Sequence, residues 1–188
     1  MTLNRYVALL RGINVGGNNK VSMPLLKELF EKAGFENVKT YINSGNVLFS
    51  ARESNVNTLR EECEQLILNG FGLNVRTVVL SARDYESIVS RAPLWWNSNS
   101  EEKHNAIFVI PPLQPEEIVS KIGFNPEYEK VYCCDSVIFW SASLKHFSKT
   151  KISGISSTKE YGSVTVRNAN TFLKIRSILN ECGKQTLQ

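Results

Sequence analysis

Apolar and polar positions along this chain switch between a period of two and a period near four, and the switches mark the elements. Residues 5–10 form a short apolar run that predicts a buried strand, ended by Gly12. A loop of glycines and asparagines follows, up to Lys20. Ser22 is then a good N-cap and Pro24 fits a first helical turn. Leu26, Leu29, Phe30 and Ala33 recur at helical spacing, and Gly34 supplies the stop. Residues 38–42 and 47–49 predict two strands joined through Asn43-Ser44-Gly45-Asn46, a hairpin signal. A second helix is expected over 56–68, with Val56, Leu59, Cys63, Leu66 and Ile67 on one stripe and Gly70 closing it. A strand over 75–80 completes the order β-α-β-β-α-β, the ferredoxin-like split arrangement.

The pattern then repeats. Ser81 caps a linking helix with Asp84 in capping-box position, Tyr85, Ile88 and Val89 give it an apolar face, and Pro93 ends it. The stretch Trp95-Trp96-Asn97-Ser98-Asn99-Ser100 is the most loop-like of the chain. It divides the protein into residues 1–92, a ferredoxin-like subdomain plus linking helix, and residues 93–188, a second α+β subdomain. Strands are expected over 106–110, 130–134, 137–140 and 164–167, and helices over 115–122, stopped by Gly123, and 171–182. The last helix would turn Phe172, Ile175, Ile178, Leu179 and Cys182 inward and stop at Gly183. Residues 145–159 have no period; they carry four lysines and no acid, with serines and threonines interleaved, as either a solvated face or a phosphate-facing loop would. The fold class expected is α+β: two ferredoxin-like (βαββαβ-type) subdomains in pseudo-duplication, with a linking helix and a C-terminal helix.

Composition narrows the picture without choosing a function. A chain of 188 residues buries roughly 70% of its unfolded surface, enough for a core without staples. The formal net charge is +4, and 11 basic and 9 acidic residues fall in each half, so no charged tail exists. Such a balance permits nucleic-acid binding but does not demand it. Cys63, Cys133, Cys134 and Cys182 form no Cys-x-x-Cys pair, and only His104 and His146 could supplement them, so no metal site and no cofactor are expected. Buried reduced thiols fit a cytoplasmic protein. The apolar run at residues 6–10 is too short for a signal segment, and no stretch approaches a membrane span, so no membrane partner is expected.

The candidate chemistry gathers around Arg11 to Lys20. Glycine and asparagine tolerate positive φ, so this loop could turn backbone N–H groups around a ligand, or could make a tight turn with no ligand. Gly12 and Gly17 have Walker A spacing, but Asn18 stands at the lysine position and Lys20 comes two residues late; the dinucleotide fingerprint is absent. What remains is a strand end, two cations and a helix N-terminus, which together suit an anion. With two histidines and no spaced carboxylate pair, nucleophilic and acid–base mechanisms have little to work with, and whether the protein is an enzyme stays open. Amide and cationic residues collect instead at expected element ends: Asn14, Asn19, Asn43, Asn46, Arg167, Asn168 and Asn170.

Three blocks resemble the signatures of the bacterial domain-of-unknown-function family sixteen ninety-seven: Leu-Leu-Arg-Gly-Ile-Asn-Val-Gly-Gly at 9–17, Thr-Tyr-Ile-Asn-Ser-Gly-Asn-Val at 40–47 and Thr-Val-Arg-Asn-Ala-Asn-Thr at 165–171. The resemblance implies a two-part α+β fold with a ferredoxin-like N-terminal piece and no established activity. Many relatives carry a tryptophan where Ala169 stands, and their Ser-Lys block matches Lys149 or Lys151. The expected ligand-binding residues are therefore Arg11, Gly12, Asn14, Gly16, Gly17, Asn19, Lys20, Asn43, Ser44, Asn46, Lys149, Arg167, Asn168 and Asn170. The leading expectation is a binder of a small anionic ligand, a nucleotide or a phosphorylated metabolite. One alternative is a binder of single-stranded RNA, with Tyr6, Tyr41 and Phe49 as candidate stacking rings. The other is a protein-interaction module, in which the Trp95-Trp96 loop would be exposed. The oligomeric state is not readable from the sequence.

Overall fold

The computed structural model describes residues 3–181. It is a mixed α+β protein with two four-stranded antiparallel sheets, each carrying its own helices. The chain divides into two compact units, residues 3–86 with 174–181, and residues 87–173. The expected boundary at 92/93 thus lies a few residues inside the second unit, and the end of the last helix belongs to the first.

In the first unit, β1 (Asn4–Leu10) is followed by α1 (Met23–Lys32), β2 (Glu36–Tyr41), β3 (Asn46–Ala51), α2 (Val56–Phe71) and β4 (Thr77–Ser81). The sheet order is β2-β3-β1-β4. Tyr6 pairs with Phe49 and Ala8 with Val47 across β1 and β3, and Leu9 pairs with Val78 across β1 and β4. Alternation sends Tyr6, Ala8, Leu10, Val47 and Phe49 into a core with Leu26 and Phe30 of α1 and Leu59, Cys63 and Ile67 of α2. Val7, Leu9 and Leu48, on the opposite face, are buried as well. This explains the unbroken apolar run.

Two helix assignments need correction. Gly70 does not close α2: the helix runs on to Phe71, and Gly72 at φ 67° takes the left-handed cap. Gly70 lies inside the helix because a Cβ there would stand 2.2 Å from Leu29 Cδ1, so its absence lets α1 and α2 approach. Leu29 is accordingly half-buried against Gly70 rather than in the core, and Ala33 is exposed, while Leu26 and Phe30 are fully buried.

The second unit contains the end of α3 (Ala82–Ser90), then β5 (Glu102–Val109), α4 (Pro115–Ile122), β6 (Glu129–Cys134), β7 (Val137–Ser143), β8 (Val164–Asn168) and the start of α5 (Ala169–Glu181). Ser81 caps α3 as its sequence implies, with its Oγ accepting from the Asp84 N–H at 3.1 Å. The sheet order is β6-β7-β5-β8. Ile107, Val109, Ile138 and Trp140 pack with Ile118 of α4 on one face. On the other, Trp96 sets its edge against Phe139 and Phe172 at 5.0 and 5.3 Å, and its Nε1–H donates to the Asn105 carbonyl. Trp96 therefore belongs to a core, while Leu94 before it and residues 97–100 after it are exposed.

Strand β5 begins four residues before the expected Ala106. His104 and Asn105 are buried although polar, and His104 is held by Ser141 Oγ and the Asn99 carbonyl. The unpatterned segment 145–159 is mostly 3-10 helix, in turns over Leu144–Lys149, Ile152–Ser157 and Lys159–Ser163. Ile152 and Ile155 point it into the core. A buried carboxylate anchors it: Glu129 Oε1 accepts from Trp140 Nε1 at 2.9 Å and Ile152 N at 3.2 Å. Its Oε2 accepts from Asn125 N at 2.8 Å and Lys151 N at 3.0 Å. The inward position of Cys182 and the stop at Gly183 lie outside the described residues. Among those residues, no helix is long and apolar enough to cross a membrane.

Candidate functional site

Five residues of the loop after β1 have positive φ: Gly12 at 64°, Asn14 at 54°, Gly16 at 59°, Gly17 at 81° and Asn19 at 47°. They build a small hairpin. Val15 and Asn18 form an antiparallel bridge, the Asn18 N–H donates to the Val15 carbonyl at 3.1 Å, and the Asn14 N–H donates to the Asn19 carbonyl at 3.1 Å. Gly16 and Gly17 are the two central residues of its turn, and positive φ at both is what a type I′ turn requires. The glycines thus shape a tight turn, and the Asn14 and Asn18 N–H groups are spent inside it rather than on a ligand. Asn19 Nδ2 closes the base by donating to the Gly12 carbonyl at 3.1 Å.

Asn14 ties this hairpin to two other elements. Its Nδ2 donates to the Val21 carbonyl at 2.9 Å and to the Asn43 carbonyl at 3.0 Å, and its Oδ1 accepts from the Val21 N–H at 2.8 Å. The same amide lies 3.8 Å from Met23 Sδ. Three segments therefore meet at one side chain: the glycine hairpin, the start of α1 and the β2–β3 turn. That turn is held from within, because Asn46, fully buried, donates through Nδ2 to the Tyr41 carbonyl at 2.8 Å and to Ser44 Oγ at 3.4 Å.

Between these segments lies an open concavity of about 360 Å³. It is lined by Asn14, Gly17, Lys20 and Asn43 together with the opening of α1, from Val21 to Pro24. The helix terminus itself is partly spent. Ser22 Oγ accepts from the Leu25 N–H at 3.5 Å, the Ser22 carbonyl accepts from Leu26 N–H at 2.9 Å, and Pro24 has no N–H to offer. The fixed positive charge on the rim is Lys20, which is exposed.

Of the residues singled out from sequence, Asn14, Gly17, Lys20 and Asn43 line this concavity. Gly12, Gly16, Asn19, Ser44 and Asn46 build the two loops around it. Arg11 is half-buried, its N–H donates to the Arg76 carbonyl at 3.0 Å, and it is not among the lining residues. Lys149, Arg167, Asn168 and Asn170 belong to the second unit. There Arg167 is buried and donates to Thr165 Oγ1 at 2.8 Å and the Val166 carbonyl at 2.9 Å. Asn168 Oδ1 accepts from the Thr171 N–H at 2.8 Å and so caps α5. Lys149 places its Nζ 5.1 Å from the Tyr128 ring centroid. Sequence reasoning missed the apolar wall of Val21, Met23 and Pro24, which read only as a helix start. It also offered Tyr6 and Phe49 as stacking rings, but these are core residues stacked on each other at 5.7 Å.

Fold and site together define a two-sheet α+β protein with a glycine-hairpin concavity in its first unit. The chain matches the family described as Protein of unknown function (DUF1697) over residues 3–139, and it belongs to that family. It is also similar to a solved structure, that of the conserved bacterial protein SP0830 from Streptococcus pneumoniae. The two are 31% identical, the alignment covers 95% of this chain and 100% of that one, and the TM-score is 0.85. No curated protein matches the chain.

Proposed function

We propose that this protein binds a small anionic ligand, a nucleotide or another phosphorylated metabolite, in the concavity beside the glycine hairpin. The observation that carries this reading is the meeting of an exposed lysine, two asparagines and the opening of α1 around about 360 Å³ of space. A pocket of that size with few polar groups is typical of small-molecule sites. Lys20 supplies a point charge for a phosphate, and the Asn14 side chain beside it is already held by Val21 and by the Asn43 carbonyl, so binding need not order it. The free thiols of Cys63, Cys133 and Cys134 agree with a cytoplasmic setting.

The same reading takes the two units as ferredoxin-like repeats in pseudo-duplication. In support, each sheet places its first and third strands centrally and its second and fourth at the edges. In the second unit 3-10 turns replace the helix before the last strand. A thermal-shift screen of the full chain against nucleotides, sugar phosphates and inorganic phosphate tests the binding. At least one should raise the melting temperature in a dose-dependent way, and Lys20→Gln should abolish the rise. A flat response across the set would overturn the proposal.

A further inference from the structure

Three of the residues that line the concavity, Val21, Met23 and Pro24, are apolar. Val21 and Met23 rest on the core of the first unit, and Pro24 is exposed beside them. Met23 is fixed there by the 3.8 Å contact of its sulfur with Asn14 Nδ2. An inorganic anion gains nothing from an apolar lining of this kind. At roughly 30 Å³ per water, 360 Å³ holds about twelve waters, several times what one phosphate group displaces.

Resting on the anion-binding reading above, we propose that the ligand carries, besides its anionic group, a flat aromatic face: a nucleoside monophosphate rather than a sugar phosphate or free phosphate. The phosphate lies toward Lys20 and Gly17. The base lies against Met23 and Pro24, where a polarisable thioether and a proline ring offer contact to an aromatic face. Apolar surface that the free protein leaves in water is then covered by the base, and ribose 5-phosphate cannot supply that cover.

Calorimetric titration of the full chain with adenosine monophosphate, ribose 5-phosphate and inorganic phosphate, at one ionic strength, tests this. The nucleotide should bind at least tenfold more tightly than either of the others. Met23→Gln, which keeps the side-chain length but makes it polar, should reduce that ratio at least threefold while leaving phosphate affinity within twofold. Nucleotide and ribose 5-phosphate binding within threefold of each other would overturn the proposal while leaving the anion site standing, as would a ratio unmoved by Met23→Gln. No binding by any of the three would overturn the anion site and this proposal together.

Discussion

Gly45 offers a way to measure how tightly the β2–β3 turn is pressed onto the loop after β1. A Cβ at this position would stand 2.8 Å from Ile13 Cγ1 and from Leu10 Cβ, and 2.9 Å from Ile13 Cδ1. Neither neighbour can retreat easily. Leu10 ends a central strand and its N–H donates to the Gly45 carbonyl at 2.8 Å, and Ile13 is fully buried. Gly45 also has φ +81°, and a left-handed conformation costs an L-residue about 1–2 kcal/mol. Overpacking adds about 1–3 kcal/mol. Gly45→Ala should therefore lose about 2–5 kcal/mol in urea denaturation followed by circular dichroism. Gly17 provides the internal control, because it has the same φ of +81° with nothing within 4 Å of its Cβ position. Gly17→Ala should lose only the conformational part, about 1–2 kcal/mol. Equal losses in the two variants, or a Gly45→Ala midpoint within about 0.5 kcal/mol of the parent, would refute the packing argument.

Glu129→Gln replaces one of the two accepting oxygens by an amide N–H₂ that faces two of the four N–H donors, and should cost about 1.5–3 kcal/mol, with faster amide exchange at Lys151 and Ile152 as its local signature; unchanged protection there would mean the carboxylate does not anchor the segment. Burial pushes the Cys63 thiol well above its ordinary value, so at pH 8 a thiol reagent should leave Cys63 unmodified until denaturant is added, and rapid native labelling would contradict its place in the core. Hydrogen bonding from Arg176 holds the Glu86 carboxyl below the ordinary carboxylate value of 4.5. A lowered folded value means the pair stabilises above that ordinary value and is lost as pH falls through the folded one. Glu86→Gln should flatten the acid limb of the stability curve in that window, and an unchanged limb would show the pair to be without effect.

The elements that were legible in the sequence are those whose local chemistry agrees with their surroundings. Ser81 with Asp84, Gly34 and Gly123 punctuate helices, and Asn43 to Asn46 mark a turn, because capping and positive φ are properties of a few adjacent residues. What was hidden depends on distant partners. The start of β5 reads as polar because His104 meets Ser141, 37 residues away. Gly70 looks like a stop but is a contact with Leu29 of another helix. Residues 145–159 look like a solvated run of lysines, yet Glu129 fastens their backbone and Ile152 and Ile155 are buried. The site divides in the same way. Its glycines and asparagines were visible, and so was their tolerance of positive φ. That Asn14 would spend its amide on Val21 and Asn43, and that Met23 would wall the space, follows only from the fold.

The central claim is that an anion is held beside Lys20. Amide chemical-shift mapping of the labelled full chain with adenosine monophosphate tests it most directly, since it reports where binding occurs as well as whether. The account predicts saturable shifts at Gly17, Lys20, Ser22 and Asn43 that weaken as salt is raised and vanish in Lys20→Gln. Saturable shifts confined to other residues, or shifts at these four that persist undiminished in Lys20→Gln, would contradict it.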